Sequence, residues 1–182
     1  HLLMDDSEAP QAVVHSLELR EVRYSPPPVE GSEPFHLGPI NLNIKQGDIV
    51  FIVGENGCGK TTLIKLLLGL YQPQSGEIRL NGEAVTDRAR DDYRQLFTTV
   101  FADYYLFDDL VQGNAGKSLD VATQYLNRLE IAHKVSVKDG AFTTTDLSTG
   151  QRKRLALVNA WLEERPVLVF DEWAADQDPA FR

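Results

Sequence analysis

Only one cysteine, Cys58, stands among the 182 residues. That excludes an internal disulfide framework and a cysteine-built zinc site, and it fits a reducing compartment. Long apolar runs are missing as well: stretches such as Ile49 to Val53 are a handful of residues, far short of the ~20 needed for a membrane helix. Positive charge is in deficit, with 18 Lys and Arg against 27 Asp and Glu and a net charge of −9. This balance opposes binding to phosphate backbones and argues against a nucleic-acid partner. There is no internal repeat, no low-complexity tract, and no charged-then-apolar leader after His1; the chain reads as a soluble cytosolic piece of a longer polypeptide. What is present, 42% apolar and 9% aromatic residues, suffices for a core, since a domain of this size hides about 70% of its extended-chain surface.

Residues 1–14 are acidic and polar, with Asp5, Asp6, Glu8 and Pro10, and read as a linker. Leu17, Leu19 and Val22 give a rough strand pattern that Pro26, Pro27 and Pro28 interrupt, and a second strand resumes over Leu37 to Ile44. The β-branched and aromatic run Ile49 to Val53 predicts a strand buried on both faces. Leu63, Ile64, Leu66, Leu67 and Leu70 then recur at helical spacing, with Gly69 and Pro73 as stop signals. Asn81-Gly82 between Glu77–Leu80 and Glu83–Val85 predicts a β-hairpin. After a short strand near Phe97 the pattern turns mainly helical to Leu162, with Val121, Tyr125, Leu126 and Leu129 on one face. Pro166 precedes a second buried strand, Val167 to Phe170. The division is thus 1–14 linker, 15–90 antiparallel β lobe with a glycine-rich loop, 91–162 helical lobe, and 163–182 closing strand and loop.

Three motifs carry chemistry. Gly54-Glu55-Asn56-Gly57-Cys58-Gly59-Lys60-Thr61-Thr62 fits G-x-x-x-x-G-K-[ST] between a predicted strand and a helix. Glycines let backbone N–H groups curl around phosphates, Lys60 can reach the β and γ phosphates, Thr61 can ligand Mg²⁺, and Thr62 is placed for a further phosphate contact. ATP or GTP binding follows. Second, the strand through Phe170 delivers Asp171 and Glu172 to its C-terminal end, where α/β sheets place ligands. Asp171 would hold Mg²⁺ through water, and Glu172, on the other side of the extended chain, would polarise the attacking water. Third, Leu147-Ser148-Thr149-Gly150-Gln151 opens a helix. It is either an ordinary N-cap or a second anion site.

Together and in this order, the motifs resemble the nucleotide-binding domain of an ABC transporter, with LSTGQ as its signature. The resemblance runs from about Leu17 to the end and implies an α/β P-loop NTPase core: a mostly parallel sheet with flanking helices, an N-terminal antiparallel β lobe and an inserted helical lobe, truncated at the C-terminus. DEWAADQDPAFR (171–182), LSTGQRKR and VFADYYLFDDL (100–110) are similar, more finely, to cyclic-peptide and peptide-siderophore exporters. The resemblance implies Mg-ATP on residues 54–62, with Lys60 and Glu172 catalytic and Thr61 and Asp171 toward the metal. It further implies Ser148, Gly150 and Gln151 acting in trans in a head-to-tail homodimer, Asp178 in the D-loop, and a fused membrane domain that places the piece at the cytoplasmic face of the inner membrane.

Some positions depart from the family pattern. Ala102 stands where the family has the Q-loop glutamine, with Asp103 beside it. Pro26 falls where an adenine-stacking aromatic is common; Tyr24, two residues earlier, either stacks on adenine or packs within the first strand. Thr149 replaces the first signature glycine, Ala175-Asp176-Gln177-Asp178 the commoner Ser-Ala-Leu-Asp, and Cys58 a common serine; no histidine follows Glu172. The isolated piece is therefore expected to bind nucleotide and hydrolyse it poorly. A soluble ABC-type ATPase and a regulatory nucleotide-binding module without turnover stand as alternatives.

Overall fold

The computed structural model describes residues 13–27, 35–100, 115–138, 141–144 and 146–170. The chain divides into two compact units, His1–Phe97 and Thr98–Arg182.

In the first unit, β1 (Ser16–Tyr24), β2 (Leu37–Lys45), β3 (Ser75–Leu80) and β4 (Glu83–Ala84) form an antiparallel sheet in the order β2-β1-β3-β4. Leu17 lies opposite Ile44 and Leu80, and Leu19 opposite Leu42 and Ile78. The three-residue step from buried Leu19 to buried Val22 is the reason the strand pattern looked rough: the register shifts there and Glu21 takes a positive φ of 48°. An extra residue in one strand restores Val22 to the core face. Asn41 pins this bulge, accepting from the Glu21 N–H at 3.0 Å. The predicted hairpin forms at Asn81-Gly82, both with positive φ (52° and 86°), as a two-residue turn between right-twisted strands demands. The Asn81 side chain also accepts from the N–H groups of His15 and Ser16 and donates to the Val13 carbonyl, fixing the entry to β1. Of the expected linker, residues 1–12 lie outside the described residues.

Helix α1 (Lys60–Leu67) leaves the glycine-rich loop directly. It ends where Gly69 enters the left-handed region at φ 71°, with Gly69 N–H donating to Leu66 and Leu70 N–H to Lys65. This pair of bonds satisfies carbonyls that a helix end leaves orphaned. The carbonyls that remain are taken by α2 (Arg90–Arg94): the buried Tyr93 hydroxyl donates to Leu67 and the Arg94 guanidinium to Gly69 through two nitrogens. Burial pushes the Tyr93 hydroxyl far above its ordinary range, so it stays a donor at every working pH.

One expectation fails in this unit. Ile49 to Val53 is not a strand, and Ile49, Phe51 and Val53 are 82%, 83% and 86% exposed. Val50 and Ile52 are less so, at 44% and 36%, so the period of two survives without the pairing. β propensity expresses fit to a pleated, half-covered surface. Among the described residues no strand pairs with this run, and composition alone cannot supply the hydrogen-bonding neighbours.

The second unit holds β5 (Phe97–Val100), whose first residue closes the first unit, α3 (Ala115–Arg128), β6 (Val137–Lys138), β7 (Ala141–Phe142), α4 (Thr149–Leu162) and β8 (Val167–Phe170). α3 and α4 pack together around Leu126, Leu129, Ile131, Val135, Phe142, Leu155 and Val158, and Tyr125 meets Trp161 at 4.8 Å between ring centroids. The face predicted from Val121, Tyr125, Leu126 and Leu129 is therefore the packed one. β5 pairs with β8, and Val100 packs with Ala156, Ala160 and Leu168. β8 is half-buried, with Phe170 exposed, where a fully buried strand was expected. Four residues paired to one short neighbour do not cover both faces.

Candidate functional site

The glycine-rich loop is shaped by its own polar atoms. Gly57 and Gly59 have φ of 82° and 99°, a conformation costly for residues carrying a Cβ. At Gly59 an added Cβ would also come within 2.6 Å of the Phe35 ring and 3.1 Å of Leu37, so both φ and space require glycine there. The Lys60 ammonium folds back across the loop, donating to the carbonyls of Gly54 at 2.7 Å and Glu55 at 2.8 Å. The Cys58 N–H donates to Glu55 at 3.3 Å and closes the turn.

Gly59 is the N-cap of α1, and no side chain caps the helix. The first-turn N–H groups of Lys60, Thr61 and Thr62 are thus offered to an external acceptor, with the positive end of the helix dipole behind them. A cation braced against the loop, uncapped helix donors and two hydroxyls form a donor set for a polyphosphate. The fit to Mg²⁺ has the same character. Among the described residues no cluster of three or more His, Cys, Asp or Glu side chains comes together. Mg²⁺ in nucleotide sites takes one or two protein oxygens plus phosphate oxygens and water, and the Thr61 hydroxyl could be one such oxygen.

α4 begins in the opposite way. Ser148 is its N-cap, with φ −62° and ψ 159°, and a full capping box is present. The Gln151 N–H donates to Ser148 Oγ at 3.4 Å, and the Ser148 N–H donates to Gln151 Oε1 at 3.1 Å. Ser-x-x-Gln is a capping-box pattern legible in sequence; the expected cap at Ser148 is met, with Thr149 accommodated as the first helical residue. The reciprocal use of Gln151 was not foreseen. Ser148 Oγ accepts from the backbone, and its own proton has no acceptor among the described residues. Gly150 follows in the first turn of α4.

Tyr24 stacks on Tyr71, with centroids 5.0 Å apart and planes 14° apart, and Lys65 Nζ lies 5.3 Å from the Tyr71 centroid. Asp171, Glu172, Asp178, Ala102 and Asp103 lie outside the described residues. Sequence reasoning also missed Phe35, which touches the loop from 24 positions upstream of Gly59; no spacing rule links the two.

A family model described as ABC transporter matches residues 37–175. The chain belongs to the ABC transporter family. It is an ATP-binding and ATP-hydrolysing domain of that family, and such domains bind ATP with Mg²⁺. It is 50% identical over 170 residues to the ATP-binding protein SyrD of Pseudomonas syringae pv. syringae, covering 92% of this chain and 30% of that protein. It is 36% identical over 151 residues to an ATP-dependent lipid A-core flippase of Ralstonia nicotianae, covering 75% of this chain and 25% of that one. The chain therefore spans under a third of the length of these curated relatives. Among solved structures, a bacterial Atm1-family ABC exporter with ATP bound aligns at TM-score 0.73 and 25% identity, over 97% of this chain and 33% of the other. The cbiO1 protein of Clostridium perfringens, part of the transporter complex cbiONQ, aligns at TM-score 0.70 and 29% identity, over 92% and 69%. The fold is accordingly the mixed α/β, P-loop NTPase-like fold of ABC ATPase domains. Among the described residues no helix is long and apolar enough to cross a membrane.

The lone thiol offers a direct probe of the loop. An added Cβ at Gly54 would lie 2.6 Å from Cys58 Sγ, so this exposed sulfur sits over the start of the loop. A maleimide is expected to modify Cys58 stoichiometrically, and saturating Mg-ATP to slow the reaction at least tenfold, read by intact mass. Equal rates with and without nucleotide would place the bound phosphates elsewhere.

Proposed function

We propose that this chain is the motor domain of an exporter, in which ATP joins two copies head to tail and hydrolysis releases them. The observation that carries the reading is the loop at 54–62, with its braced lysine and open helix start, in a chain of the ABC family. Gly54 to Thr62 would wrap the phosphates, with Lys60 on the β and γ groups and Thr61 and Asp171 toward the metal, Asp171 through water. When bound, Mg²⁺ would supply positive charge against the phosphates held by these residues. Glu172 would take a proton from the attacking water. Ser148, Gly150 and Gln151 would complete the partner copy's site, and Asp178 would lie along the shared interface. The functional division remains 1–14 linker, 15–90 β lobe and loop, 91–162 signature lobe, and 163–182 carboxylate strand and D-loop.

A cyclic peptide or peptide siderophore is the proposed cargo, supported by the likeness of 100–110 and 171–182 to that exporter group. It would be recognised by a fused membrane domain, with this piece at the cytoplasmic face of the inner membrane. The names of other relatives, a lipid A-core flippase and a β-(1→2)glucan export protein, show that related motors serve different cargoes.

The test is ATP-dependent association. With Glu172→Gln to hold ATP in place, Mg-ATP is expected to convert monomer to dimer in light scattering. Ser148→Ala should weaken that dimer by tenfold or more and leave nucleotide affinity unchanged. A monomer at saturating ATP across the micromolar range would contradict the shared-site mechanism. Gln151 separates support from direct contact: in the proposed role Gln151→Ala and Gln151→Glu should both lose the dimer, whereas retention in Gln151→Glu, which keeps the acceptor for the Ser148 N–H, would limit Gln151 to supporting Ser148. Loss in both variants would mean that the amide itself meets the nucleotide.

A further inference from the structure

We infer that the Thr98 hydroxyl and the Glu163 carboxylate set the position of α4, and through it the placement of Ser148 toward the partner copy's ATP; both are positioning residues, and the inference rests on the shared-site reading above. The pair lies within the second unit. Thr98 and Val100 alternate along β5, so they face the same side of the strand, and both are buried. Val100 packs with Ala156 and Ala160 of α4, and Thr98 Oγ1 donates to Glu163 Oε2 at 2.7 Å. Positions 156, 160 and 163 share one stripe of the helix, because residues three and four apart are neighbours on its surface. One face of β5 therefore meets one stripe of α4, apolar at one end and polar at the other.

The two ends restrain the helix differently. Alanine methyls give a close but smooth contact, and apolar burial is non-directional, so it resists separation more than sliding. A hydrogen bond weakens steeply with distance and angle, and so fixes register. Glu163 is the C-cap of α4, an end where the helix dipole disfavours negative charge. The carboxylate is held there by Thr98 and by Arg165 Nε at 3.3 Å. Another polar tie, from Arg154 Nη1 to the Leu129 carbonyl, is long at 3.4 Å and joins α4 to the segment after α3, so it sets no register against β5. Ser148 caps the far end of α4, whose 14 residues make a rod about 21 Å long. Axial slip at Glu163 is therefore passed on to Ser148. β5 also pairs with β8, the strand that precedes Asp171 and Glu172. The tie thus relates the helix start offered to the partner's nucleotide to the strand leading to the chain's own carboxylates.

The experiment uses the 182-residue chain carrying Glu172→Gln, with dimer formation under saturating Mg-ATP followed by light scattering and ATP affinity of the dilute monomer by calorimetry. Thr98→Val keeps the shape of the side chain and removes its donor. It is expected to weaken the ATP-driven dimer about tenfold while ATP affinity stays within about twofold and the far-UV circular dichroism spectrum is unchanged. Glu163→Ala, which alters the half-buried partner, should give the same loss. Thr98→Ser and Glu163→Gln keep a donor and an acceptor, and should hold the dimer within about threefold. A lowered melting temperature with an unchanged dimer would make the pair a fold contact alone, and equal losses in Thr98→Ser and Thr98→Val would assign the effect to packing of the methyl group; either result overturns the inference. Parallel loss of ATP affinity would place the effect outside α4 and overturn it as well. Absence of a dimer from the chain carrying Glu172→Gln alone would instead overturn the shared-site reading, and this inference with it.

Discussion

Replacing Lys60 with alanine is expected to lower Mg-ATP affinity by a hundredfold or more while the far-UV circular dichroism spectrum stays unchanged. The ammonium is already placed: it bridges the Gly54 and Glu55 carbonyls from the first turn of α1. In the proposed role, binding would exchange these neutral carbonyl partners for anionic phosphate oxygens. Hydrogen bonds to charged groups contribute about 1.5–3 kcal/mol, and a contact of unlike charges at about 4 Å near a protein surface is worth about 4 kcal/mol before desolvation. A net loss of about 3 kcal/mol corresponds to more than a hundredfold in affinity. Lys60→Arg should not rescue, because a planar fork cannot occupy the space of a compact ammonium between two carbonyls. Removing Lys60 leaves two carbonyls in an exposed loop, where water replaces the lost donor, so the structural cost is small. A loss below fivefold would show that the lysine braces the loop without contacting nucleotide.

Glu172→Gln is expected to reduce steady-state ATP turnover by about 10²–10⁴-fold, the usual contribution of a positioned general base, while ATP affinity changes by less than about threefold. The substitution keeps size and hydrogen-bonding capacity and removes the ability to take a proton. Asp171→Asn should behave differently, weakening the magnesium dependence of binding, because its proposed role is toward the metal. The comparison is made in the parent polypeptide by phosphate release at saturating ATP. Unchanged turnover in Glu172→Gln would remove the carboxylate from the chemistry and move the base elsewhere.

Among the elements, those whose physics is local were legible. Asn81-Gly82 required a tight hairpin because both positions need positive φ. Gly69 marked the end of α1, and Ser148 the start of α4, since each is answered by backbone groups within one turn. The β1 pattern was readable only in part, because the bulge at Glu21 interrupts a strict alternation. Ile49 to Val53 was misread for a reason of another kind. Its composition states a preference for a covered sheet position, and the described residues place no paired strand beside it.

The site divides along the same line. Residues 54–62 lie on a short stretch of chain, so glycines, lysine and threonines at fixed intervals determine a phosphate-binding shape without help from distant segments. Family membership followed from the order of such local motifs, and the match over residues 37–175 agrees. Tertiary structure alone decided which aromatic reaches the loop. Phe35 lies against Gly59 and Tyr24 against Tyr71, which arrives from beyond α1, and no spacing in the sequence links either pair. It decided as well that the Gln151 side chain turns back to the Ser148 N–H. Contacts of this sort depend on distances between groups that the chain brings together only on folding, and a pattern of residue types holds no record of those distances.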